Sequence, residues 1–478
     1  MLNKLKKLIP KKLFIALQPV YHFIFSLAAA LTFGFPSRKL IIIGVTGTAG
    51  KTSTVYLIAK MLEAAGYKTG FTSTAVFCDG EKEWLNDKKM TMPGRFFIQR
   101  MIKRMAKNGC RYAVIETTSE GIKQFRHRFI SYDILVFTGL YPEHIESHGS
   151  FEKYKEAKGR LFAHLRRFKN KYVGEDKRVT RAKGGMEKIG LQRVQKTIIA
   201  NGDDEHVNYF LNFWSEVKIA YSLKSDFNPE DIVRNLSSEA NLKDFTAVRG
   251  EVSSADISGI DLLLNGTACH LNLLGDFNAA NALAAYSVGL NQGLDLENII
   301  SGLEKVKRLA GKMELIDAGQ DFVAMVDYSF EPKALEKLYE TISLFPYGRL
   351  IHILGSTGGG RDQARRPVMG RMAAEKADII IVTNEDPYDE DPAVIINQVA
   401  AGAEMAGKVN GQDLFKILDR GDAIKKALEL AKEDDMVLLT GKGAEQYICL
   451  AKGTKMPWDD RTELRQAIVD KLCIDKKS

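Results

Sequence analysis

A glycine-rich run with a lysine and several hydroxyl side chains has the clearest chemical potential in the sequence. It reads Gly-Val-Thr-Gly-Thr-Ala-Gly-Lys-Thr-Ser over residues 44–53, between an apolar run and a helical pattern. Glycines let backbone N–H groups approach phosphates, the lysine reaches the terminal phosphates, and a hydroxyl can bind Mg²⁺. A chance glycine turn would rarely combine all of these features. We therefore predict an ATP site formed by Gly47, Thr48, Ala49, Gly50, Lys51, Thr52 and Ser53.

Two further polar residues follow strand-like runs. Glu116 ends the run YAVIE, and His144 comes after DILVFTGL. Because the carboxyl ends of parallel strands meet at one sheet edge, where ligands bind, we expect both side chains near the glycine-rich run. A carboxylate and an imidazole there can hold a divalent ion beside the γ-phosphate. Each residue alone would more often be an ordinary capping or surface residue, but together with the loop they favour a metal site.

Alternating strand and helix patterns must position these residues. KLIIIGV and TVYLIAKMLEAAG flank the glycine run as the opening unit of a parallel sheet, and residues 244–274 indicate a small antiparallel patch. After Gly311 the alternation restarts with FVAMVDY, LIHILGS, DIIIVTN, LFKILD and MVLLTGKG. The predicted fold class is α/β, with a central P-loop parallel-sheet ATPase domain over 39–308 and a Rossmann-like doubly wound C-terminal domain over 309–478.

The charge distribution argues against a nucleic-acid-binding protein. Of the net charge of +8, residues 1–39 contribute seven basic and no acidic residues, and the insertion 166–196 contributes eleven basic against three acidic residues. The rest of the chain is net acidic, whereas a nucleic-acid-binding domain carries its positive charge along one folded face. The insertion is interpreted as a solvated charged loop, with contact to phosphates or anionic lipid as the alternative.

The five cysteines show no C-x-x-C pairing, so the sequence indicates neither a zinc site nor a disulfide framework. A reducing cytoplasm is the expected location, with possible membrane association through residues 1–38. Within that segment, residues 13–35 carry no charged side chain but have lysines or arginines on both sides. Three interpretations stay open: a helix packed on the protein, an interfacial helix on the inner leaflet, or a membrane span.

Several motifs recur together in the order of a known family. They are Thr91-Met-Pro93, the run from Glu116 to Arg126, FTGLYPEHIESHGSFEKYKEAKGRLF over 137–162, Asn201-Gly-Asp-Asp204, Gly275-Asp-Phe-Asn278-Ala-Ala-Asn281, Val326-Asp-Tyr328, Gly359-Gly-Arg361-Asp, Arg366-Pro-Val-Met-Gly370, Gly441-Lys-Gly-Ala-Glu445 and Asp459-Asp-Arg461. Over residues 40–470 the sequence resembles the Mur ligases, ATP-dependent amino-acid ligases of peptidoglycan precursor synthesis. It is most similar to their UDP-N-acetylmuramoyl-tripeptide synthetase branch, which adds the third residue of the stem peptide.

The resemblance implies a role for each matching residue. The catalytic set would be Lys51, Glu116, His144 and Lys158, with Lys158 carbamylated and binding metal together with Thr52, Glu116 and His144; a solvated helix lysine is the alternative for Lys158. ATP contacts would add Asn278, Asn281, Lys312 and Asp327. The acceptor peptide would meet Thr91, Met92, Thr118, Gln124 and Arg126. The incoming amino acid would meet Arg361, Glu385, Asp386, Pro387, Tyr388, Gly441 and Glu445.

The resemblance also implies a mechanism. A substrate carboxylate would attack the γ-phosphate of ATP, and the amine of the incoming amino acid would displace phosphate from the resulting acyl phosphate. ATP and Mg²⁺ are the implied cofactors, and a nucleotide- or lipid-linked peptide precursor and a free amino acid are the implied partners.

The sequence departs from the family pattern at its beginning and at several positions of the second domain. Only 46 residues precede Gly47, too few for the family's uridine-binding domain, so a lipid-linked acceptor enters as a hypothesis. The family's Asp-Asn-Pro-Arg is Glu385-Asp-Pro-Tyr388, which lacks the arginine that selects diaminopimelate. We therefore expect lysine, ornithine or another amino acid. The histidines expected at Phe330 and Ala444 are missing, and the arginine expected at 312 is a lysine.

These departures leave two alternative functions. One is a ligase of the same superfamily with a polyglutamate, folate or lipid-linked acceptor. The other is a non-catalytic ATP-binding scaffold in wall synthesis, although a scaffold need not keep a complete phosphate and metal site.

Overall fold

The computed structural model describes residues 11–143, 148–174, 179–180, 191–237, 244–360 and 363–475. In the first part of the chain, the strands are β1 (Ile41–Thr46), β2 (Thr69–Thr72), β3 (Val76–Cys78), β4 (Glu83–Leu85), β5 (Tyr112–Glu116), β6 (Ile134–Phe137), β7 (Tyr172–Val173), β8 (Val179–Thr180), β9 (Gln192–Arg193), β10 (Thr197–Asn201), β11 (Val217–Ser222), β12 (Phe245–Asp256), β13 (Gly259–Leu264) and β14 (Thr267–Leu271).

The α-helices of this part are α1 (Lys11–Phe33), α2 (Lys51–Ala64), α3 (Arg95–Lys107), α4 (Ser119–Lys123), α5 (Phe151–Leu165), α6 (Val207–Leu211), α7 (Pro229–Arg234), α8 (Phe277–Asn291) and α9 (Leu296–Glu304). A 3₁₀ turn over Pro36–Lys39 joins α1 to β1.

Eleven strands form one sheet in the order β14-β13-β12-β11-β10-β6-β1-β5-β2-β3-β4, while β7, β8 and β9 form a separate three-stranded sheet. The central strand β1 pairs in parallel with both β5 and β6. All residues of β1, β5 and β6 are buried, as expected for parallel strands covered on both faces. One core packs α2, α8 and α9 against the sheet, and a second packs α3, α5 and α6 against its other face.

The expected antiparallel patch at 244–274 is present, but it is part of the main sheet. The first residues of β12 pair in parallel with β11, and its later residues pair antiparallel with β13. Strand β13 in turn pairs antiparallel with β14. The patch therefore extends the parallel sheet at one edge.

The rest of the chain forms a second, six-stranded sheet in the order β15-β16-β20-β17-β18-β19. Its strands are β15 (Glu314–Leu315), β16 (Val323–Asp327), β17 (Leu350–Leu354), β18 (Ile379–Thr383), β19 (Leu414–Ile417) and β20 (Met436–Thr440), followed by the hairpin β21 (Tyr447–Cys449) and β22 (Lys455–Pro457). Apart from β15, the strands of this sheet pair in parallel.

Helices cover both faces of the second sheet. They are α10 (Pro332–Ile342), α11 (Arg365–Lys376), α12 (Pro392–Met405), α13 (Arg420–Leu430) and α14 (Asp460–Asp475), with a 3₁₀ turn at Ala451–Gly453. The first three contribute to the core on one face, and α13 and α14 contribute to the core on the other. The α/β class and the doubly wound second sheet predicted from the sequence are therefore confirmed.

Helix α1 packs on the central body. The Ser26 hydroxyl donates to the Phe125 carbonyl at 2.9 Å, and the Phe23 and Phe129 rings meet with centroids 5.4 Å apart. Within the described part of the chain, no helix is long and apolar enough to cross a bilayer. The opposite face of α1 exposes Ile24 (55%) and Leu31 (60%). Residues 1–10 lie outside the described range.

Two lysines of the basic insertion are not solvated. Lys171 donates to the Leu40 and Ser131 carbonyls at 2.6 and 2.7 Å, and both Lys171 and Lys196 form ion pairs with Asp133. All three side chains are buried. The interpretation of 166–196 as a solvated loop is wrong for Lys171 and Lys196, because these two buried lysines hold the insertion onto the sheet. Residues 175–178 and 181–190 lie outside the described ranges.

Candidate active site

The glycine-rich run connects β1 to α2 at the carboxyl edge of the central sheet. Gly50, with φ +76°, precedes the first turn of α2, and the Thr48 N–H donates to the Gly139 carbonyl at 2.8 Å. Lys51 Nζ donates to the Thr48 carbonyl at 2.6 Å. The loop thus presents the amino end of a 14-residue helix together with a lysine, which suits a bound polyphosphate.

Glu116, at the end of β5, lies beside this loop. Its carboxylate accepts from the Thr52 hydroxyl at 2.9 Å, from the Thr74 N–H at 2.7 Å and from the Thr74 hydroxyl at 3.0 Å. A hydroxyl and a carboxylate in contact suit Mg²⁺ that takes its other ligands from phosphates and water. Thr52 and Glu116 therefore fit the predicted metal role.

The predicted metal site also includes His144 and Lys158. His144 lies outside the described residues. In the ranges that the structure does describe, no group of three or more His, Cys, Asp and Glu side chains could hold a metal ion. A magnesium site built largely on substrate phosphates does not need such a group. Burial raises the pKa of Glu143, which interacts electrostatically with Lys51 and Lys158.

Lys158 is a buried residue of α5 beside the loop. Its Nζ donates to the Gly47 carbonyl at 2.7 Å and lies 4.6 Å from the centroid of the Tyr154 ring. Burial, reinforced by the charge of Lys51, lowers the pKa of Lys158 well below its usual range. The alternative of a solvated helix lysine is wrong, because only 1% of the residue is exposed.

Asn278 and Asn281 lie in the first turns of α8, behind the loop. Asn281 Oδ1 accepts from the Thr54 hydroxyl at 3.1 Å, and its Nδ2 donates to Asn278 Oδ1 at 2.9 Å. A Cβ on Gly50 would meet Asn281 Oδ1 at 2.3 Å. The two asparagines therefore support the shape of the phosphate loop.

Lys312 and Asp327 belong to the part of the chain that forms the second sheet, and they lie near Glu116 and the phosphate loop. Asp327 ends β16 and accepts from the Met313 N–H at 2.8 Å, while Lys312 Nζ lies 4.7 Å from the Tyr328 ring centroid. Burial lowers the pKa of Lys312, and the negative charges of Asp327 and Glu116 oppose that shift. Lys312 thus interacts electrostatically with groups from both sheets.

The five predicted acceptor-binding residues lie close together. The Thr91 and Thr74 hydroxyls are 2.8 Å apart. Since Thr74 also binds Glu116, it links Thr91 to that carboxylate. Arg126 donates to Gln124 Oε1 at 2.7 Å and to the Met92 carbonyl. The Thr118 hydroxyl accepts from the Gly121 N–H at 3.1 Å and caps α4. These contacts form a polar wall that begins at the carboxylate of Glu116.

The predicted amino-acid pocket lies at the carboxyl ends of β18 and β20. A Cβ on Gly441 would meet Glu385 Oε2 at 2.7 Å, and a Cβ on Gly358 would meet the Pro387 carbonyl at 2.2 Å. Tyr388 has φ +51°, and its N–H donates to the Cys449 carbonyl at 3.0 Å. Arg361 lies outside the described residues.

Three acidic side chains line this pocket. Burial raises the pKa of Glu385, and Glu385 Oε2 has no hydrogen-bond partner in the described part of the chain. Asp386 Oδ1 and Glu445 Oε2 accept from Lys442 Nζ at 2.9 and 2.7 Å. Glu445 Oε1 accepts from the Tyr328 hydroxyl at 3.2 Å. Through Tyr328, the pocket adjoins Lys312 and the phosphate loop.

Sequence reasoning missed three residues of the site. Thr74 binds both Glu116 and Thr91, and Lys442 and Lys89 each pair with Asp386 and Glu445. Lys442 lies inside a motif that was recognised, so the motif itself was a signal. Thr74 and Lys89 stand in unremarkable polar stretches, and their partners are distant in sequence.

Comparison with known proteins finds family matches for both sheet-forming parts of the chain. Residues 45–289 match the Mur ligase middle domain, and residues 311–443 match the Mur ligase glutamate ligase domain. The chain is 37% identical to UDP-N-acetylmuramyl-tripeptide synthetase of Roseiflexus sp. (strain RS-1), covering 92% of this chain and 81% of the relative. It is 31% identical to UDP-N-acetylmuramoyl-L-alanyl-D-glutamate--2,6-diaminopimelate ligase of Bacillus cereus, covering 92% of this chain and 80% of the relative.

Solved structures show the same architecture. A UDP-N-acetylmuramoyl-L-alanyl-D-glutamate--2,6-diaminopimelate ligase structure superposes with a TM-score of 0.55 at 26% identity, covering 91% of this chain and 79% of that one. A Mycobacterium tuberculosis folylpolyglutamate synthase superposes with a TM-score of 0.60 at 17% identity, covering 89% and 96% of the two chains. At 17% identity, the second likeness concerns the fold alone.

The phosphate loop gives a direct prediction. In Gly50→Ala, the new methyl group collides with Oδ1 of Asn281, and the Asn281 amide cannot move without losing the bond that Oδ1 accepts from Thr54 and the bond that Nδ2 donates to Asn278. We expect ATP affinity, measured by equilibrium binding of a fluorescent ATP analogue, to fall by at least about tenfold. Gly66→Ala is the control, since Gly66 has a similar φ of +81° but open space around it. That change should cost about 1–2 kcal/mol of stability and leave ATP affinity unchanged. Equal ATP affinity in both variants would contradict the prediction.

Proposed function

Because the chain belongs to the Mur ligase family, we propose that it is an ATP-dependent amide ligase that adds an amino acid to a peptidoglycan-precursor carboxylate through an acyl phosphate. The observation that carries the proposal is the meeting of three groups at the facing edges of the two sheets. The phosphate loop and Glu116 form one group, the wall from Thr91 to Arg126 forms the second, and the acidic pocket forms the third. Lys312 interacts electrostatically with Glu116, Lys51 and Asp327 at the centre.

The chemistry follows from these positions. A carboxylate oxygen of the acceptor attacks the γ-phosphorus, the bond to the bridging oxygen of ADP breaks, and an acyl phosphate and ADP result. The amine of the incoming amino acid then attacks the acyl carbon, inorganic phosphate leaves, and the amine loses a proton. Lys51 and Lys312 stabilise the negative charge on the transferring phosphoryl group. When the two sheet-containing domains close over the acyl phosphate, they exclude water, which would hydrolyse it.

Members of this family use ATP and Mg²⁺. When bound, Mg²⁺ neutralises charge on the β- and γ-phosphates, and Thr52 and Glu116 are the described side chains that would hold it, with His144 as a further proposed ligand. The proposed division of the chain is 1–38, 39–308 with the insertion 166–196, and 309–478.

The proposal includes carbamylation of Lys158. Burial favours the neutral amine, which is the form that attacks CO₂; the nitrogen–carbon bond forms and one proton is lost. The product is a carboxylate-like group within reach of the phosphate loop, since Lys158 Nζ already lies 2.7 Å from the Gly47 carbonyl. Such a group would supply oxygen ligands for a second Mg²⁺.

The incoming amino acid is proposed to carry a second amine, as lysine and ornithine do. Asp386 and Glu445 already bind lysine ammonium groups, and Glu385 Oε2 faces Gly441 without a described partner. Diaminopimelate would add a carboxylate to this acidic pocket, where a buried negative charge without a partner is costly. The charge balance therefore favours a side chain that carries an amine and no second carboxylate.

A different acceptor is the second candidate function. The folylpolyglutamate synthase fold fits a ligase that extends another carboxylate, and a non-catalytic scaffold is the third possibility. The buried Lys158 and the Thr52–Glu116 contact weigh against a scaffold, because buried polar groups of this kind are costly to keep without a function.

We also propose that α1 rests on an anionic membrane surface. Leu17, Val20, Ile24 and Leu31 fall on one face of the helix and are exposed. Alongside, α3 exposes Phe96, Arg100, Lys103 and Lys107 at helical spacing. Lys103 Nζ lies 5.8 Å from the Phe33 ring centroid. The exposed basic residues of α3 therefore border the apolar face of α1. An apolar helix face with flanking cations fits an interface of anionic lipid headgroups and acyl chains.

The ligase proposal is tested by amino-acid-dependent release of phosphate from ATP with a UDP-linked muramoyl dipeptide as acceptor. We expect release with lysine or ornithine, much less with diaminopimelate, and none in Lys51→Met. Faster ligation of diaminopimelate would contradict the amine pocket. Release only with a folate or lipid-linked acceptor would favour the second candidate function. No release with any acceptor, despite ATP binding, would favour a scaffold.

For carbamylation, Lys158→Ala should lower the ligation rate by about a hundredfold or more, because an oxygen ligand is lost. A short carboxylate such as propionate should restore part of that rate. Lys155→Ala, on the same helix but paired with Glu152, is the control and should keep normal activity. Wild-type protein in ¹³C-bicarbonate should show a carbamate signal by NMR that is absent from Lys158→Ala. A fully active Lys158→Ala variant would rule the modification out as a requirement.

For membrane contact, the full chain should float with phosphatidylglycerol-containing vesicles but not with pure phosphatidylcholine vesicles. Ile24→Glu should abolish flotation, and Arg100→Glu combined with Lys103→Glu should weaken it. Val394→Glu, at an exposed apolar position of the second sheet's helices, is the control and should float normally. If the wild-type chain binds neither vesicle type, the membrane proposal is wrong.

A further inference from the structure

Lys89 reaches from the central part of the chain into the acidic pocket of the second sheet. Its Nζ donates to Asp386 Oδ2 at 2.6 Å and also to Glu445 Oε2, which lie 297 and 356 positions further along the chain. Its side chain is only 6% exposed. Its backbone has φ +55°, a conformation that non-glycine residues rarely adopt. The contact between Lys89 and the two carboxylates is therefore a specific part of the folded site.

Asp386 and Glu445 are matched by an equal number of ammonium groups only when Lys89 is present. Asp386 and Glu445 are met by two ammonium groups, those of Lys442 and Lys89. Lys442 is fixed within the second sheet, because its Nζ also donates to the Tyr447 carbonyl at 2.7 Å. Lys89 is the cation that comes from the opposite side, on the loop that leads to Thr91. Buried carboxylates require paired charge, so a group that replaces Lys89 must itself be a cation.

Lys89 presents to these carboxylates the same group as free lysine, a primary ammonium on a four-carbon stem. We propose that Lys89 is an internal competitor that occupies the position of the incoming amino acid's side-chain ammonium and leaves when that amino acid binds. The inference rests on the proposed function, since it assumes that the acidic pocket receives a diamino acid.

The exchange makes Lys89 a specificity-determining residue. A lysine or ornithine side chain conserves the charge balance when it displaces Lys89, whereas a neutral side chain would leave two carboxylates facing Lys442 alone. An amino acid of equal length without the second amine, such as norleucine, therefore cannot expel Lys89. The residue thus discriminates by charge against amino acids that the pocket could otherwise accommodate by size.

Chemical labelling of the wild-type protein tests the exchange without any substitution. Lysine-selective acetylation followed by mass spectrometry should modify Lys89 slowly in the free protein. The rate should rise on addition of ornithine and stay low with norleucine. Lys88 is the internal control: it pairs with Asp87, is 39% exposed, and should react at the same rate throughout. If Lys89 stays protected at saturating ornithine, it is a permanent structural ion pair and the proposal is refuted.

Kinetics of Lys89→Met give a second readout. Removing the competitor should lower the KM for lysine or ornithine, by about tenfold for an occupancy of about nine-tenths. The kcat should stay within about twofold, since Lys89 does not touch the reacting atoms in the proposed mechanism. Lys88→Met should leave both parameters unchanged. An increased KM in Lys89→Met would overturn the competitor role while leaving the ligase proposal intact, whereas a wild-type protein that ligates no amino acid would refute the proposed function itself.

Discussion

The pairing of β1 between β5 and β6 is the constraint on which the site depends. Parallel register places Val45 beside Glu116 and Thr46 beside Phe137, so the three strands end at one edge. The loop after β1, the carboxylate at the end of β5 and the turn after β6 must therefore lie together. A shift of one residue in the β1–β5 pairing would turn the Glu116 side chain to the other face of the sheet.

Several lysines of this protein are buried, and the groups that surround their ammonium charges differ. Asp133 forms ion pairs with both Lys171 and Lys196 and ties the insertion to the sheet. Lys158 has a carbonyl partner, and its pKa falls through burial and the nearby charge of Lys51. Lys89, in contrast, is neutralised by carboxylates of the other sheet. The first arrangement is structural, the second suits a reactive amine, and the third can be exchanged for another cation.

The amino-acid pocket illustrates how the two sheets depend on each other. Glu445 accepts from Tyr328 and Lys442 of its own sheet and from Lys89 of the central part. Tyr328 adjoins Lys312, which interacts with Glu116 across the interface. The phosphate loop and the amine pocket are therefore joined by a short chain of contacts and charge interactions.

Local pattern was sufficient for much of this protein. Apolar runs and glycine punctuation predicted the parallel strands and the phosphate loop, because a strand, a tight turn and a helix start are set by nearby residues. The position of Glu116 at a strand end followed from the same reasoning. The antiparallel patch was also predicted, but its continuity with β11 was not, since strand pairing over such distances is not encoded in local periodicity.

The sequence by itself determined the strand–loop–helix units and the chemical groups at their ends, since these depend on residues adjacent in the chain. Only the tertiary structure decided which lysines are buried and which carboxylates they meet. Lys158 has the sequence context of an exposed helix residue, and Lys89 stands in a polar run. The neighbours that control their charge lie far away along the chain. Burial and pairing of charge are properties of the packed sheets, so no local pattern could reveal them.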